Sequence, residues 1–307
     1  MKGLIATERV CLIGHIGAMV FGVAGLLLVL PHPDFVINLS PIGQMFFQLG
    51  MSGGGVIHIL LGATAVAIYA YRNLGVRLWL TFMVPAVLLS LGSELLGTST
   101  GFPFGHYRYL SGLGYKIAGL VPFTIPLSWF YMGLVCYLLA RTALQKVAIG
   151  NWLRQIAAIA LGAILLTAWD LVLDPAMSQT TFPFWQFQEI GAFFGMPYRN
   201  LTGWLGTGAL FMSVATLLWG KTPIVLTRPQ LNLPLTIYIV NFAFGALITV
   251  GALDARFWIP TALSLFLGVV PAIIIWWVTK PSRENEKDIP PDAGSLIPVA
   301  PLEVAAK

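Results

Sequence analysis

The chain has 307 residues, 57% hydrophobic and 9% charged, with a formal net charge of +5. A soluble domain carries roughly a quarter charged residues, so this chain has too little charge to clothe a water-facing surface, and a water-soluble enzyme is excluded. The basic balance (pI ≈ 9.3) is no nucleic-acid footprint, because the charges stand singly between apolar runs. It reads as a membrane-topology signal, with the lipid bilayer as partner.

Apolar runs of about 20 residues, the length needed to cross a bilayer, recur along the chain. They predict an all-α polytopic membrane protein with about eight transmembrane helices. In chain order the expected spans are Val10–Leu30, Met51–Tyr71, Leu78–Leu96, Ile117–Leu139, Ile156–Asp174, Leu201–Trp219, Leu235–Leu253 and Phe257–Val278. Spans five and six are the shortest. Seven spans remain an alternative if span six or seven is re-entrant. The first run is too long for a signal-peptide core and ends at Pro31 without a small-residue cleavage site, so it is expected to stay as a helix. Residues 1–279 are read as one transmembrane domain, and the polar, Pro-rich segment 280–307 as a disordered tail.

With the N-terminus inside, the inner segments carry thirteen Lys and Arg and the outer segments four: Arg108, Lys116, Arg199 and Arg256. That bias predicts both termini in the cytoplasm. Plasma membrane and thylakoid impose the same span length, so either fits. Cys11 and Cys136 lie inside apolar runs and read as reduced packing residues.

Outside the tail the acids are Glu8, Asp34, Glu94, Asp170, Asp174, Glu189 and Asp254. A carboxylate inside a bilayer is costly and marks a functional site by default. Glu94 sits near the outer end of span three. Asp170 and Asp174, four apart, share a helix face near the outer end of span five. The loops that follow are alike: Phe102-Pro103-Phe104 comes eight residues after Glu94, and Phe182-Pro183-Phe184 eight after Asp174. Each loop feeds a helix opening with a hydroxyl residue and a tryptophan, Ser128-Trp129 and Thr202-Gly203-Trp204. The pattern suggests a helix–loop–helix unit used twice. Loops so rich in Gly, Pro and aromatics tend to pack over a site, although an interfacial aromatic belt has the same composition.

Several chemistries find no support. His15, His32, His58 and His106 are not clustered. Counting from the expected span edges, His15 falls about 8 Å inside the inner edge and His58 about 10 Å inside the outer edge. Depth would then keep them apart as packing histidines, and no metal is expected. Gly112, Gly114 and Gly119 lack the spacing of a dinucleotide fingerprint, and Gly53-Gly54-Gly55 reads as close helix packing at the start of span two. What remains is carboxylic acids, tyrosines and aromatic rings. Such a set suits protonation of an alkene in the bilayer: burial keeps a carboxyl protonated and ring faces stabilise the carbocation. Water capture of that cation gives hydration, and an internal double bond gives cyclisation.

The stretch Ser93-Glu94-Leu-Leu-Gly-Thr-Ser-Thr-Gly-Phe-Pro-Phe-Gly-His-Tyr107, with Ile125-Pro-Leu-Ser-Trp129-Phe, Ala168-Trp-Asp170-Leu-Val-Leu-Asp174-Pro175 and Gly203-Trp204, resembles the integral-membrane carotenoid biosynthesis family, which includes CruF-type carotenoid 1',2'-hydratases. The likeness is specific over about residues 90–210. It implies cofactor-free addition of water to the 1',2' double bond of an acyclic ψ end group, on γ-carotene, lycopene or a bacterioruberin-type precursor. Other carotenoid-pathway enzymes are implied as further partners. The acidic Pro-x-Glu pattern of the related lycopene cyclases is not seen, which favours hydration over cyclisation without deciding it.

On this expectation Glu94 or Asp170 delivers the proton, and Asp174 or the other acid handles the attacking water. Phe102, Phe104, Tyr107, Trp129, Trp169 and Trp204 line the end-group pocket. His106, Arg108, Arg199 and Asn200 support the acids or the water. Two alternatives stand beside it. Asp170 and Asp174 could merely pair with Arg108 and Arg199 to pin the loops, or the chain could bind or transport carotenoid or lipid without catalysis.

Overall fold

The computed structural model describes residues 1–145 and 147–281; the expected tail lies outside the described residues from 282 onward. Helix α1 (Lys2–Ala24) runs on through a π-helical turn, Gly25–Val29, and a short α2 (Pro33–Ile37) follows. Then come α3 (Pro41–Thr100), α4 (Thr124–Ala143), α5 (Asn151–Ser178), α6 (Tyr198–Trp219) and α7 (Arg228–Ala252). A 3₁₀ turn, Ala255–Phe257, leads into α8 (Trp258–Ser264) and α9 (Val270–Val278), joined by a π-turn. The fold is an all-α membrane bundle. Among the described residues six stretches are long and apolar enough to cross a bilayer: Lys2–Val29, Gly53–Thr100, Asn151–Ser178, Tyr198–Trp219, Arg228–Ala252 and Ala255–Val278.

Six stretches accommodate the eight expected spans because Gly53–Thr100 holds two of them, and because α4 falls outside the six. At about 1.5 Å per residue, α3 would reach roughly 90 Å as one straight rod, three times the hydrocarbon thickness. Gly75, at φ 83° and ψ 165°, breaks it. The chain doubles back there: Tyr71 and Trp79 meet edge to face at 6.1 Å, and both far ends reach the same loop. A Cβ on Gly55 would lie 2.5 Å from the Gly112 carbonyl oxygen, and one on Gly97 3.2 Å from the Tyr107 hydroxyl. This backbone region is close to exclusive to glycine, so Gly75→Ala is expected to destabilise the fold by roughly 1–3 kcal/mol. A thermal-unfolding midpoint in detergent unchanged by the substitution would show that the hairpin does not depend on this conformation.

Helix α4 is the axis of the bundle. Sixteen of its twenty residues are buried, and it packs against α3, α5, α6, α7 and α9. The outer helices instead expose Leu88, Leu217 and Phe266 among many large apolar side chains, as a lipid-facing surface requires. At the end remote from the loops, Arg72 of α3 pairs with Glu8 of α1 at 2.5 Å, and the Trp219 indole donates to the Leu78 carbonyl at 3.0 Å.

Several expected boundaries are corrected. Residues 117–122, placed in span four, belong to a small hairpin of β2 (Lys116–Ile117) and β3 (Val121–Pro122). Span five is a 28-residue helix, not one of the shortest. Helix α1 starts at Lys2 and α3 at Pro41, eight and ten residues before the expected spans. That shift overturns the separation of the histidines. Both fall near the middle of their helices, with ring centroids 5.9 Å apart, and His15 Nδ1 lies 2.7 Å from the His58 carbonyl oxygen. They still act in packing: His15 Nε2 lies 3.2 Å from the Asn241 amide, and its ring lies over Gly62. Gly53–Gly55 lies well inside a helix, with Gly55 alone of the three in close contact.

Candidate active site

The two Phe-Pro-Phe loops meet. Residues Tyr107–Tyr109 (β1) pair antiparallel with Trp185–Phe187 (β4), in the register Tyr107↔Phe187, Arg108↔Gln186 and Tyr109↔Trp185. A strand turns alternate side chains to opposite faces, so Tyr107 and Tyr109 point into the protein while Arg108 points out. The inward faces of β1 and β4 form a lid over the ends of α3, α5, α4 and α6.

Beneath it lies Glu94, near the end of α3. Its Oε2 accepts from the Tyr107 hydroxyl and from the Tyr109 hydroxyl at 2.8 Å, and its Oε1 accepts from the Trp129 indole N–H at 2.9 Å. Three donors to one carboxyl favour the charged form. Burial first, and then the Glu94 carboxyl, hold both loop phenols well above the usual tyrosine range, so they remain O–H donors at neutral pH.

Asp174 of α5 accepts from the Trp185 indole at Oδ1, 2.7 Å, and from the Asn200 amide at Oδ2. The same amide donates to Asp170 Oδ2 at 2.9 Å, so one Asn at the start of α6 bridges the two aspartates. Asp170 Oδ1 is buried and has no hydrogen-bond partner among the described residues.

Glu94 and Asp174 line a single cavity of about 40 Å³, walled by Phe104, Tyr107, Tyr109, Trp129, Trp185 and Trp204 among others. That is room for one to a few waters, at about 10–15 Å³ per water on this measure. The Trp129 and Trp204 rings stack at 4.1 Å with 27° between planes. Phe104 is wedged between helices: a Cβ on Gly97 would lie 2.8 Å from its ring and one on Gly203 2.5 Å. Gly203→Ala is therefore expected to overpack the site at roughly 1–3 kcal/mol, lowering both the unfolding midpoint and the activity. An unshifted midpoint would mean that Phe104 can yield.

Of the residues expected from sequence, Glu94, Asp174, Asn200, Phe104, Tyr107, Trp129 and Trp204 come together here. Asp170 joins through Asn200 without lining the cavity, and Trp169 packs behind, edge-on to Trp204 at 5.8 Å. Phe102 is corrected: it is 68% exposed, two residues before Phe104 but facing out. His106, Arg108 and Arg199 are also exposed. The His106 backbone N–H reaches Glu189 Oε1 at 3.4 Å, and Arg108 donates to Gln186 Oε1 at 3.2 Å. No ion pair between these arginines and the aspartates exists among the described residues, whose two salt bridges are Arg72–Glu8 and Arg256–Asp254. The loop-pinning alternative falls with them.

Sequence reasoning missed Tyr109 and Trp185. The two-residue alternation of Tyr107-Arg108-Tyr109 is a strand signal that could have found the first; Trp185 carries no signal beyond adjacency to Phe184. The repeat of the two loops holds in chain spacing but not in bonding, since the indole on Asp174 is Trp185 and not Trp204.

Fold and site together define a polytopic membrane protein with buried acids under a paired aromatic lid. The chain belongs to the carotenoid biosynthesis protein family, whose profile matches residues 54–271. It is 32% identical over 198 residues to a bisanhydrobacterioruberin hydratase of Haloarcula japonica, a match that covers 63% of this chain. The match spans less than two thirds of that curated relative's own length, 62%. No solved structure matches the chain.

Proposed function

We propose that this chain is a carotenoid hydratase, adding water across the 1',2' double bond of an acyclic ψ end group with its own carboxyls as acid and base. The observation that carries the proposal is the cavity between Asp174 and Glu94. It has room for water beside two acids, the co-substrate and the acid-base pair that hydration needs. The hydratase relative points the same way.

The division of labour is assigned from the hydrogen bonds on Glu94 and from which aspartate lines the cavity. Two aspartates bridged by one amide cannot both be charged cheaply, so the Asp170–Asp174 pair holds one proton, and Asp174, the member that lines the cavity, delivers it. That proton goes to C2', leaving a tertiary cation at C1' against the Trp129 and Trp204 ring faces. A cavity water attacks C1' and gives up a proton to Glu94, assigned the carboxylate role because Tyr107, Tyr109 and Trp129 all donate to it. Return of that proton to Asp174 through cavity water restores the site. The sum is one water added, with no redox change and no cofactor required.

Expression in a host that accumulates lycopene tests this. The expected product gains the mass of one water per modified end, with its oxygen drawn from labelled water. A product of unchanged mass would indicate cyclisation, and oxygen drawn from dioxygen would overturn both readings. Pigment retained without conversion would favour a binding protein.

A further inference from the structure

Resting on that proposed function, we infer that the polyene adjoining the reacting end lies in a second cavity, between α1, α3 and α7, separated from the acids by a wall one residue thick. This cavity has about 280 Å³ of free space against 40 Å³ at the acids. His58 is the one polar side chain on it among the described residues, and no charged side chain lines it, which suits a hydrocarbon and repels water.

Its occupant is fixed by continuity. Three pairs of residues, joined by one peptide bond, one helical turn or one hydrogen bond, put one member on each cavity. Asp174 faces the acids, and Met177, one turn on, faces the apolar space. Trp185 faces the acids, and Phe184 the apolar space. Ile125 faces the acids, and Leu113, whose carbonyl accepts from Thr124, the apolar space. Met177, unbranched and adaptable, is the movable part of that wall. A lipid tail could fill the same volume, but only the enzyme's own substrate needs to be apolar on one side of this wall and protonated on the other.

Glycines make the test clean. An added Cβ on Gly25 or Gly54 meets nothing within 4 Å, and both line the cavity; Gly53 is equally open but does not line it. Gly25→Leu and Gly54→Leu should therefore fill the space without a clash, with Gly53→Leu as control. The full chain would be expressed in a lycopene-accumulating host, purified in detergent, and measured for bound pigment by visible absorbance and for turnover by product mass. The two filling variants are expected to lose retention and turnover by at least about tenfold, on the scale of a misfilled hydrophobic pocket, with the control near the parent level. Undiminished turnover in both filling variants would overturn the inference. So would loss of co-purified phospholipid with pigment retention intact, which would mark a lipid site. Retention lost on filling, in a chain that never adds water, would leave the cavity assigned and overturn the hydratase proposal instead.

Discussion

Asp174→Asn is expected to lower water addition by roughly 10²–10⁴-fold, the usual contribution of a positioned general acid, while bound pigment stays near the parent level. The substitution keeps size and shape but leaves no proton to give on the cavity side. It also leaves one acceptor oxygen where two donors, the Trp185 indole and the Asn200 amide, converge in the parent protein. Asp170→Asn should be milder, because Asp170 reaches the cavity only through Asn200. The contrast between the two variants is the measurement. Full activity in Asp174→Asn with none in Asp170→Asn would transfer the proton to the deeper acid.

Glu94→Gln should be comparably severe, for a different reason. A glutamine offers one acceptor oxygen where the carboxylate offers two, and three donors already converge there. Either the Trp129 indole or the two tyrosine hydroxyls must then face an amide N–H, leaving a buried donor unsatisfied at about 1–3 kcal/mol. Activity is expected to fall by roughly 10²–10⁴-fold, with a change in tryptophan fluorescence as Trp129 shifts against Trp204. Activity within a few-fold of the parent would remove Glu94 as base and leave it a loop anchor.

Much of this site is legible in the amino-acid sequence. The cost of a membrane carboxylate singles out Glu94, Asp170 and Asp174, and a shared helix face keeps the two aspartates together. Both loops stand out by their Phe-Pro-Phe cores. Register is not legible in the same way: one strand pairing, β1 on β4, turns Tyr109 and Trp185 inward and sends Arg108 out to Gln186. Arg108 leaves the site for that reason. The histidine depths fail on other grounds. They are counted from the edge of the apolar run, whereas α1 and α3 begin well before it at Lys2 and Pro41, and the polar first turns hide the true ends. Helix α4 starts later than its apolar run because Ile117 and Val121 look like a span but pair as a hairpin.

The centrality of α4 also bears on how the protein is made. The helix lies outside the six stretches apolar enough to cross a membrane, and it carries Trp129, Tyr131, Tyr137, Ser128 and Thr142. Insertion favours Leu, Ile, Val and Phe, and polar groups in lipid need partners. The partners of Tyr131 and Tyr137 are Asn241 of α7 and Thr216 of α6, both synthesised later. Helix α4 is therefore expected to complete its side-chain hydrogen bonding only when α6 and α7 arrive to enclose it. A truncation after α5 should leave α4 incompletely inserted, and a glycosylation or cysteine-accessibility reporter placed beside it would register the difference.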